Sequence, residues 1–442
     1  MTVRTTTRPV RGTGAPRARV AAAAVSAVNG LSRALGRGSG TVAGGRAGLL
    51  IDPGLLASLA RGRRVALVSG TNGKTTTTRL LATALSGPGG SVPVVSNDTG
   101  ANMPAGHVAA LVRAPAAPVA VLEVDEGYLG RLIEDTRPMV IVLLNLSRDQ
   151  LDRIAEVRML VDRWRAALGG LVAPGPGVPG TVVVANADDP MVAWAALAAP
   201  VVRWVGAGQV WHDDAVGCPA CGGRIGFDDG GGWGCDRCEF ARPATDAEVV
   251  GHEVVLADGT RHEIAVSLPG QFNRANAGMV ALAALPMLGH DGPPPTLDTV
   301  LDRLRGVTEV AGRFSIVTRG GRPVRLMLAK NPAGWTAVFD LLDESGDTSA
   351  PVVLSVNART ADGLDTSWLW DVPFERLAGR SVVATGDRRL DLAVRLRYAE
   401  VDHDVVDGPV AALDHALWRS APGPTAEFLG NYTAFADLRR AL

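Results

Sequence analysis

The chain has 442 residues, 47% of them hydrophobic, and a formal net charge of −1. That length exceeds one ordinary core, so two or three domains are expected. The near-neutral balance gives no electrostatic case for nucleic acid or anionic membrane as the main partner.

Arg4, Arg8, Arg11, Arg17 and Arg19 precede the apolar run VAAAAVSAV, an order that imitates a secretory signal. The run is too short to span a bilayer, and no convincing cleavage site follows it. Ala24, Val28, Leu31 and Leu35 fall instead on one helical face. The expectation is a disordered basic tail over residues 1–18, then an N-terminal helical segment over 19–56 that packs on the body. A signal peptide is the alternative.

Val65–Thr76 reads VALVSGTNGKTT, a short strand, a glycine turn and a helix start. Gly70 and Gly73 let the backbone bend so that its N–H groups can face phosphate oxygens. In Gly70-Thr71-Asn72-Gly73-Lys74-Thr75-Thr76 the lysine can reach terminal phosphates and the Thr75 hydroxyl can hold magnesium. The helix that follows favours an anion at its start. The generic phosphate loop has a glycine where this chain has Val68. Nucleoside-triphosphate chemistry is the reading.

Apolar runs at 65–68, 92–95, 119–124, 140–144 and 181–185 alternate with helical patterns, which argues for a mostly parallel α/β sheet covered on both faces. A second α/β series starts near Arg322, with strands expected at 352–356, 381–384 and 400–406. Polar clusters close three successive strands of the first series: Glu123-Val-Asp-Glu126, Asn145-Leu-Ser-Arg-Asp149-Gln150-Leu-Asp152-Arg153, and Asn186-Ala-Asp188-Asp189-Pro190. Open α/β sheets collect ligands at such ends. The first cluster can bind magnesium or be a solvated acidic loop; both readings stand at this point.

Between the two series lie the chain's four cysteines, Cys218, Cys221, Cys235 and Cys238, as two C-x-x-C knuckles thirteen residues apart. That spacing suits a closed tetrahedral zinc site, hence a structural zinc ribbon inserted over 207–246. Disulfides or a redox dithiol are the alternatives. The surround is not basic enough to make the ribbon a convincing nucleic-acid module.

The order GTNGKTT, EVDE, N-x-x-x-D-x-L-D-R, NADDP, GQFNRANA at 270–277 and Gly312-Arg313 resembles the Mur ligases and folylpolyglutamate synthases. The resemblance runs from about position 20 to the end. It implies a central ATPase domain (57–306) and a C-terminal Rossmann-like domain (307–442). It further implies ATP and magnesium as cofactors, Lys74 and Thr75 on phosphates and metal, Glu123 as a second magnesium ligand, and Asn276 and Arg313 on the nucleotide. Such ligases phosphorylate a carboxylate and let an amine attack the acyl phosphate.

Three departures matter: Gln150 in place of a histidine, Met327-Leu-Ala-Lys330-Asn331-Pro332 in place of an Asp-x-Ala-His-Asn-Pro motif, and the cysteine ribbon. With ADGLDTSWLWD at 361–371, these resemble the MurT branch. That branch implies amidation of the D-glutamate α-carboxylate in lipid II, with ammonia from a separate glutaminase subunit of the GatD kind. By the same resemblance Asp365 completes the partner's Cys–His pair, with Asp362 the fallback; a turn held by Asx contacts and packed tryptophans is the alternative. The rival functions are a self-sufficient amino-acid ligase and a ribbon-bearing nucleic-acid ATPase. The expected location is the cytoplasm, with at most peripheral membrane contact.

Overall fold

A computed structural model describes residues 15–35, 41–97, 100–148, 157–178, 180–209, 211–293, 295–310, 313–421, 423 and 425–442. Arg4, Arg8, Arg11, Asp149, Gln150, Asp152, Arg153 and Gly312 therefore lie outside the described residues.

Three helices lead the chain: α1 (Ala15–Ala34), α2 (Thr41–Ile51) and α3 (Leu55–Ala60). The first begins inside the segment expected to be disordered, and it packs through a different face than expected. Ala21 and Val25 are fully buried, whereas Leu31 and Leu35 are 61% and 59% exposed. The cause is the neighbour. Gly44 and Gly48 bring α2 so close to α1 that a Cβ at Gly44 would lie 2.1 Å from Asn29 Oδ1, and only small side chains fit that seam.

The body opens with β1 (Arg64–Ser69), α4 (Lys74–Leu85), β2 (Val94–Ser96), α5 (Pro104–Arg113), β3 (Val119–Glu123), α6 (Leu129–Thr136), β4 (Val140–Leu143) and α7 (Val157–Gly169). It continues through β5 (Val182–Asn186), α8 (Pro190–Ala196), β6 (Val202–Gly206), β7 (Ile225–Phe227), β8 (Trp233–Cys235), β9 (Ala247–Val250), β10 (Glu253–Leu256), β11 (Arg261–Glu263), α9 (Gln271–Leu288) and α10 (Leu297–Leu304). Among the described residues these strands form a nine-stranded sheet of order β11-β10-β9-β6-β5-β4-β1-β3-β2, with β7 and β8 as a separate hairpin. From β2 to β9 every neighbouring pair is parallel. The ends of β1, β3, β4 and β5 therefore share one edge, and β1 sits where the strand order reverses, the usual ligand crevice of an open α/β sheet.

Alternation along β1 shows how the layers are tied. Ala66 and Val68 join the core under α4, α9 and α10, while Val65 and Leu67 join the core under α3, α6, α7 and α1. Each buried Val or Leu contributes about 1.5–3 kcal/mol, so a strand apolar on both faces anchors the loop that follows it.

The second sheet uses β12 (Phe314–Arg319), β13 (Arg322–Leu328), α11 (Pro332–Glu344), β14 (Val352–Ser355), β15 (Val382–Thr385), α12 (Arg389–Tyr398), β16 (His403–Val405), α13 (Pro409–Arg419), β17 (Ala426–Gly430) and α14 (Tyr432–Ala441). Its order is β12-β13-β17-β14-β15-β16, parallel except for the β12–β13 hairpin. Trp335, Phe339 and Phe374 fill the core on one face, and Phe428 and Phe435 belong to the core on the other. No helix among the described residues is long and apolar enough to cross a membrane.

Candidate active site

The loop after β1 turns at two glycines with positive φ, Gly70 at 142° and Gly73 at 85°. A Cβ at Gly70 would lie 2.9 Å from Leu144 Cβ, and one at Gly73 would lie 3.0 Å from Asn276 Oδ1. Both positions therefore need glycine for conformation and for space. Val68 is a fully buried strand residue paired with Glu123, so the missing third glycine falls before the bend rather than in it.

The loop is stitched to the end of β4. Thr71 N–H donates to Asn145 O at 2.8 Å and Thr71 Oγ1 to Ser147 O at 3.0 Å, while Asn72 and Asn145 exchange two bonds of 2.9 and 3.1 Å. What remains for a ligand is the first turn of α4, whose N–H groups have no intrahelical acceptors. Lys74 is buried and folded back on the loop, donating to Gly70 O at 2.5 Å, Thr71 O at 3.2 Å and Glu126 Oε1 at 3.0 Å. Arg313 donates to Thr75 Oγ1 from Nε at 3.4 Å and from a terminal nitrogen at 3.3 Å.

A cavity of about 270 Å³ opens over this loop. Lys74, Thr75, Thr76, Asn276 and Arg313 line it, as do Asn102 and Lys330. The Ser147 hydroxyl, also on the wall, is buried with no hydrogen-bond partner among the described residues. An orphaned buried hydroxyl beside a helix start and a Thr hydroxyl suits a site for phosphate oxygens and a hard cation.

Glu123 ends β3, almost wholly buried, and is not among the lining residues. Its carboxylate meets Asn102 Nδ2 at 3.5 Å, which joins it to the wall. Its backbone is clamped: Asn97 accepts from its N–H and donates to its carbonyl, each at 2.8 Å, and His107 Nε2 contacts the same carbonyl at 2.7 Å. Burial lowers the His107 pKa to about 4, against the raising effect of that carbonyl contact, so the ring is neutral near pH 7. Of the cluster after β5, only Asn186 lines the cavity. Asp189 caps α8 and accepts from Leu146 N–H at 2.7 Å, and Asp188 pairs with Arg242 at 2.6 Å.

The four cysteines converge. Their sulfurs lie within 4.8 Å of one another. Cys218–Cys238 and Cys221–Cys235 are 3.8 and 3.5 Å apart, too far for disulfides. Gly223 N–H and Arg237 N–H donate to the sulfurs of Cys221 and Cys235. A four-thiolate cage of this size fits a closed tetrahedral metal site. Trp233 Nε1 anchors the hairpin to Ala187 O at 2.9 Å, beside the β5 end.

Asp362 and Asp365 differ sharply. Asp362 is buried and held by Thr433, through the backbone N–H at 2.8 Å and the hydroxyl at 2.5 Å. Asp365 is exposed; Ser367 N–H at 2.8 Å is the chief reason its carboxyl is held below the usual range.

Two family models match the chain, the Mur ligase middle domain over residues 68–211 and the MurT ligase C-terminal domain over 328–435. The subunit MurT of lipid II isoglutaminyl synthase (glutamine-hydrolyzing) from Streptococcus pneumoniae is 31% identical, with 93% of this chain and 94% of that one aligned. The chain belongs to the MurT family. The protein of the same name from Staphylococcus aureus is 28% identical over the same shares. Among solved structures, a pseudomurein peptide ligase type C from Methanothermus fervidus superposes with a TM-score of 0.63 at 19% identity, covering 86% of this chain and 79% of that one. Folylpolyglutamate synthase of Mycobacterium tuberculosis in complex with ADP gives 0.59 at 17%, covering 88% and 92%. These establish the Mur ligase-like α/β fold, and membership of the MurT family makes the protein an ATP-dependent ligase.

The matched C-terminal domain contributes a residue that sequence reading noted only as part of a departure. Asn331 caps α11 through Gly334 N–H at 2.9 Å, and its amide exchanges two 3.2 Å bonds with Asn72. The two sheets thus meet at the phosphate loop. An Asn before a Pro at a helix start signals the cap, but nothing local signals a partner 259 positions away. Asn102 carries no sequence signature, and Ser147 stands inside the polar cluster after β4 with nothing local to single it out.

Proposed function

We propose that the protein amidates the α-carboxylate of D-glutamate in lipid II to D-isoglutamine, using ATP and ammonia released from glutamine by a separate, GatD-like glutaminase subunit. In this reading residues 57–306 form the ATPase unit, 207–246 its zinc ribbon, and 307–442 a Rossmann-like unit that carries the partner face. The reaction lies on the cytoplasmic side, where ATP and the precursor meet.

The substrate carboxylate oxygen attacks the γ-phosphorus, the bond to the β-phosphate oxygen breaks, and ADP leaves. Ammonia then attacks the acyl carbon, loses a proton, and expels inorganic phosphate. Charge builds on the transferring phosphoryl group, so fixed donors there do most of the work. Lys74 is poised to exchange Glu126 and the loop carbonyls for phosphate oxygens, and Arg313 sits at Thr75 on the same wall. Thr75 and Glu123 would hold magnesium, which when bound draws charge from the phosphates; Asn276 borders the loop at Gly73 and would contact nucleotide. Cys218, Cys221, Cys235 and Cys238 would hold zinc in a purely structural role.

The observation that carries the glutaminase half is the contrast at 362–365: Asp362 is consumed within the chain, while Asp365 presents an ionised carboxylate to solvent. A carboxylate supplied across an interface can orient a histidine and stabilise its imidazolium. The test offers lipid II and ATP with ammonium alone, with glutamine alone, and with glutamine plus the glutaminase. Amide formation in the first and third mixtures only supports the reading. Ligation of an amino acid, or ATP turnover driven by nucleic acid, refutes it.

A further inference from the structure

Residues 1–51 contain eight arginines, no Asp or Glu and no aromatic residue. The remaining 36 basic and all 45 acidic residues fall in 52–442, which leaves that part with a formal charge of −9. A chain nearly neutral overall is thus strongly polarised, and such asymmetry points to an anionic partner at one end.

The helices of that end are also turned inside out. A helix on a globular surface buries its large apolar residues. Here α2 buries Gly44, Gly45 and Gly48 and leaves Val42, Ala43, Arg46 and Leu50 outward, Leu50 at 83% exposure. The close approach explains the inversion: a Cβ at Gly45 would lie 1.9 Å from Ala105 O of α5, and one at Gly48 would lie 2.5 Å from Val25 Cγ2 of α1. On α1 the exposed arc runs through Val20, Ala23, Ala27, Leu31, Ala34 and Leu35, with exposed Arg17, Arg19 and Arg33 along it. Arg17 Nε donates to Ile51 O, so the start of α1 lies at the end of α2 and the two helices run antiparallel.

We infer that this aliphatic, arginine-bordered face of α1 and α2 docks on the surface of an anionic lipid bilayer. Aliphatic residues enter the acyl boundary while the arginines reach the headgroups, the arrangement of an interfacial helix. The acidic remainder is repelled by the same surface, which fixes the protein's orientation on it. Nucleic acid fits less well, because single strands are held by aromatic stacking and this segment has no aromatic ring. The inference rests on these helices and not on the proposed substrate.

The experiment is flotation of the full-length protein with vesicles, without ATP or lipid II, so its failure is separate from failure of the amidation reading. Equimolar phosphatidylglycerol and phosphatidylcholine should carry the protein at low salt, and pure phosphatidylcholine should not. Each basic residue near an anionic surface is worth about fivefold, so Arg19→Gln, Arg33→Gln and Arg46→Gln together should weaken partitioning on the order of 100-fold. Leu31→Asp or Leu50→Asp should weaken it by about tenfold or more without lowering the melting temperature, since both sites are exposed. No flotation with anionic vesicles, or flotation that both leucine variants leave unchanged, overturns the inference. So does a homodimer that Leu50→Asp dissociates, because the face would then belong to a second copy.

Discussion

At the Lys74 loop the side chains of Thr71, Asn72, Lys74 and Thr75 all have partners inside the chain, drawn from β4's end, Glu126, Asn331 and Arg313. In the segment 362–370 Asp362 is buried and bonded to Thr433 across the fold, while Asp365, held by the nearby Ser367 N–H, and Trp370, packed edge-on against Tyr398, stay exposed. The first region is a site finished by its own fold, with donors fixed before any ligand arrives. The second is a surface whose chemistry is left open. A buried carboxylate without a partner would be costly, whereas Asp365 stays hydrated and ionised with a single N–H donor. On the proposed reading, one region acts within this chain, and the other has a use when a second chain supplies the groups that it orients.

Two substitutions test this division directly. Lys74→Ala should lower amidation on the order of 1000-fold with ammonium and with glutamine plus partner alike, because it removes a charge from the transferring phosphoryl. The amide is quantified by mass spectrometry of the precursor. Asp365→Asn should lower the glutamine-driven rate by roughly 100-fold and leave the ammonium-driven rate within about twofold. Equal loss of both rates would mean that the two regions are one site, and the comparison would collapse.

Much of the finished site was legible from sequence because parallel strands leave their ends on one edge. Thr71–Thr76, Asn145 and Asn186 follow apolar runs, and all border the cavity. Cysteine spacing likewise pointed to the four-sulfur cluster, since each C-x-x-C pair is local in the chain. What sequence could not give was the neighbour of each face. The stripe Ala24, Val28, Leu31, Leu35 is truly periodic, yet the seam uses Ala21 and Val25, because glycines on α2 decide how near that helix comes. Periodicity identifies a face and leaves open what covers it. Likewise Asp188 and Asp189 look like ligands beside Asn186 but are taken up by Arg242 and the α8 cap.

A third prediction probes the support beneath Glu123. The His107 pKa is lowered to about 4 by burial, from an ordinary value of 6.5. Between these values the unfolded chain binds the proton and the folded chain does not. The stability due to the neutral ring is therefore complete above pH 6.5 and falls as the pH drops toward 4, by about 3 kcal/mol in all. The unfolding free energy from urea titrations at pH 7 and pH 4 should differ by about 3 kcal/mol more in the natural protein than in His107→Gln. A parallel response in both proteins would place the acid sensitivity elsewhere.

The smallest expected effect concerns the join between the two sheets. Asn72→Ala removes the amide exchange with Asn331 and nothing from α11, so it should raise KM for ATP a few-fold, in keeping with about 0.5–1.5 kcal/mol for a hydrogen bond. Asn331→Ala removes the same exchange and also the cap on Gly334 N–H, which adds about 1 kcal/mol of lost stability. Asn331→Ser keeps the cap and separates the two losses. If the join acts through this pair, the double variant Asn72→Ala/Asn331→Ser has the KM of either single one, because the second change has no bond left to break. Additive changes in KM would show instead that each amide meets the nucleotide independently, and that the phosphate site does not depend on the second sheet through this contact.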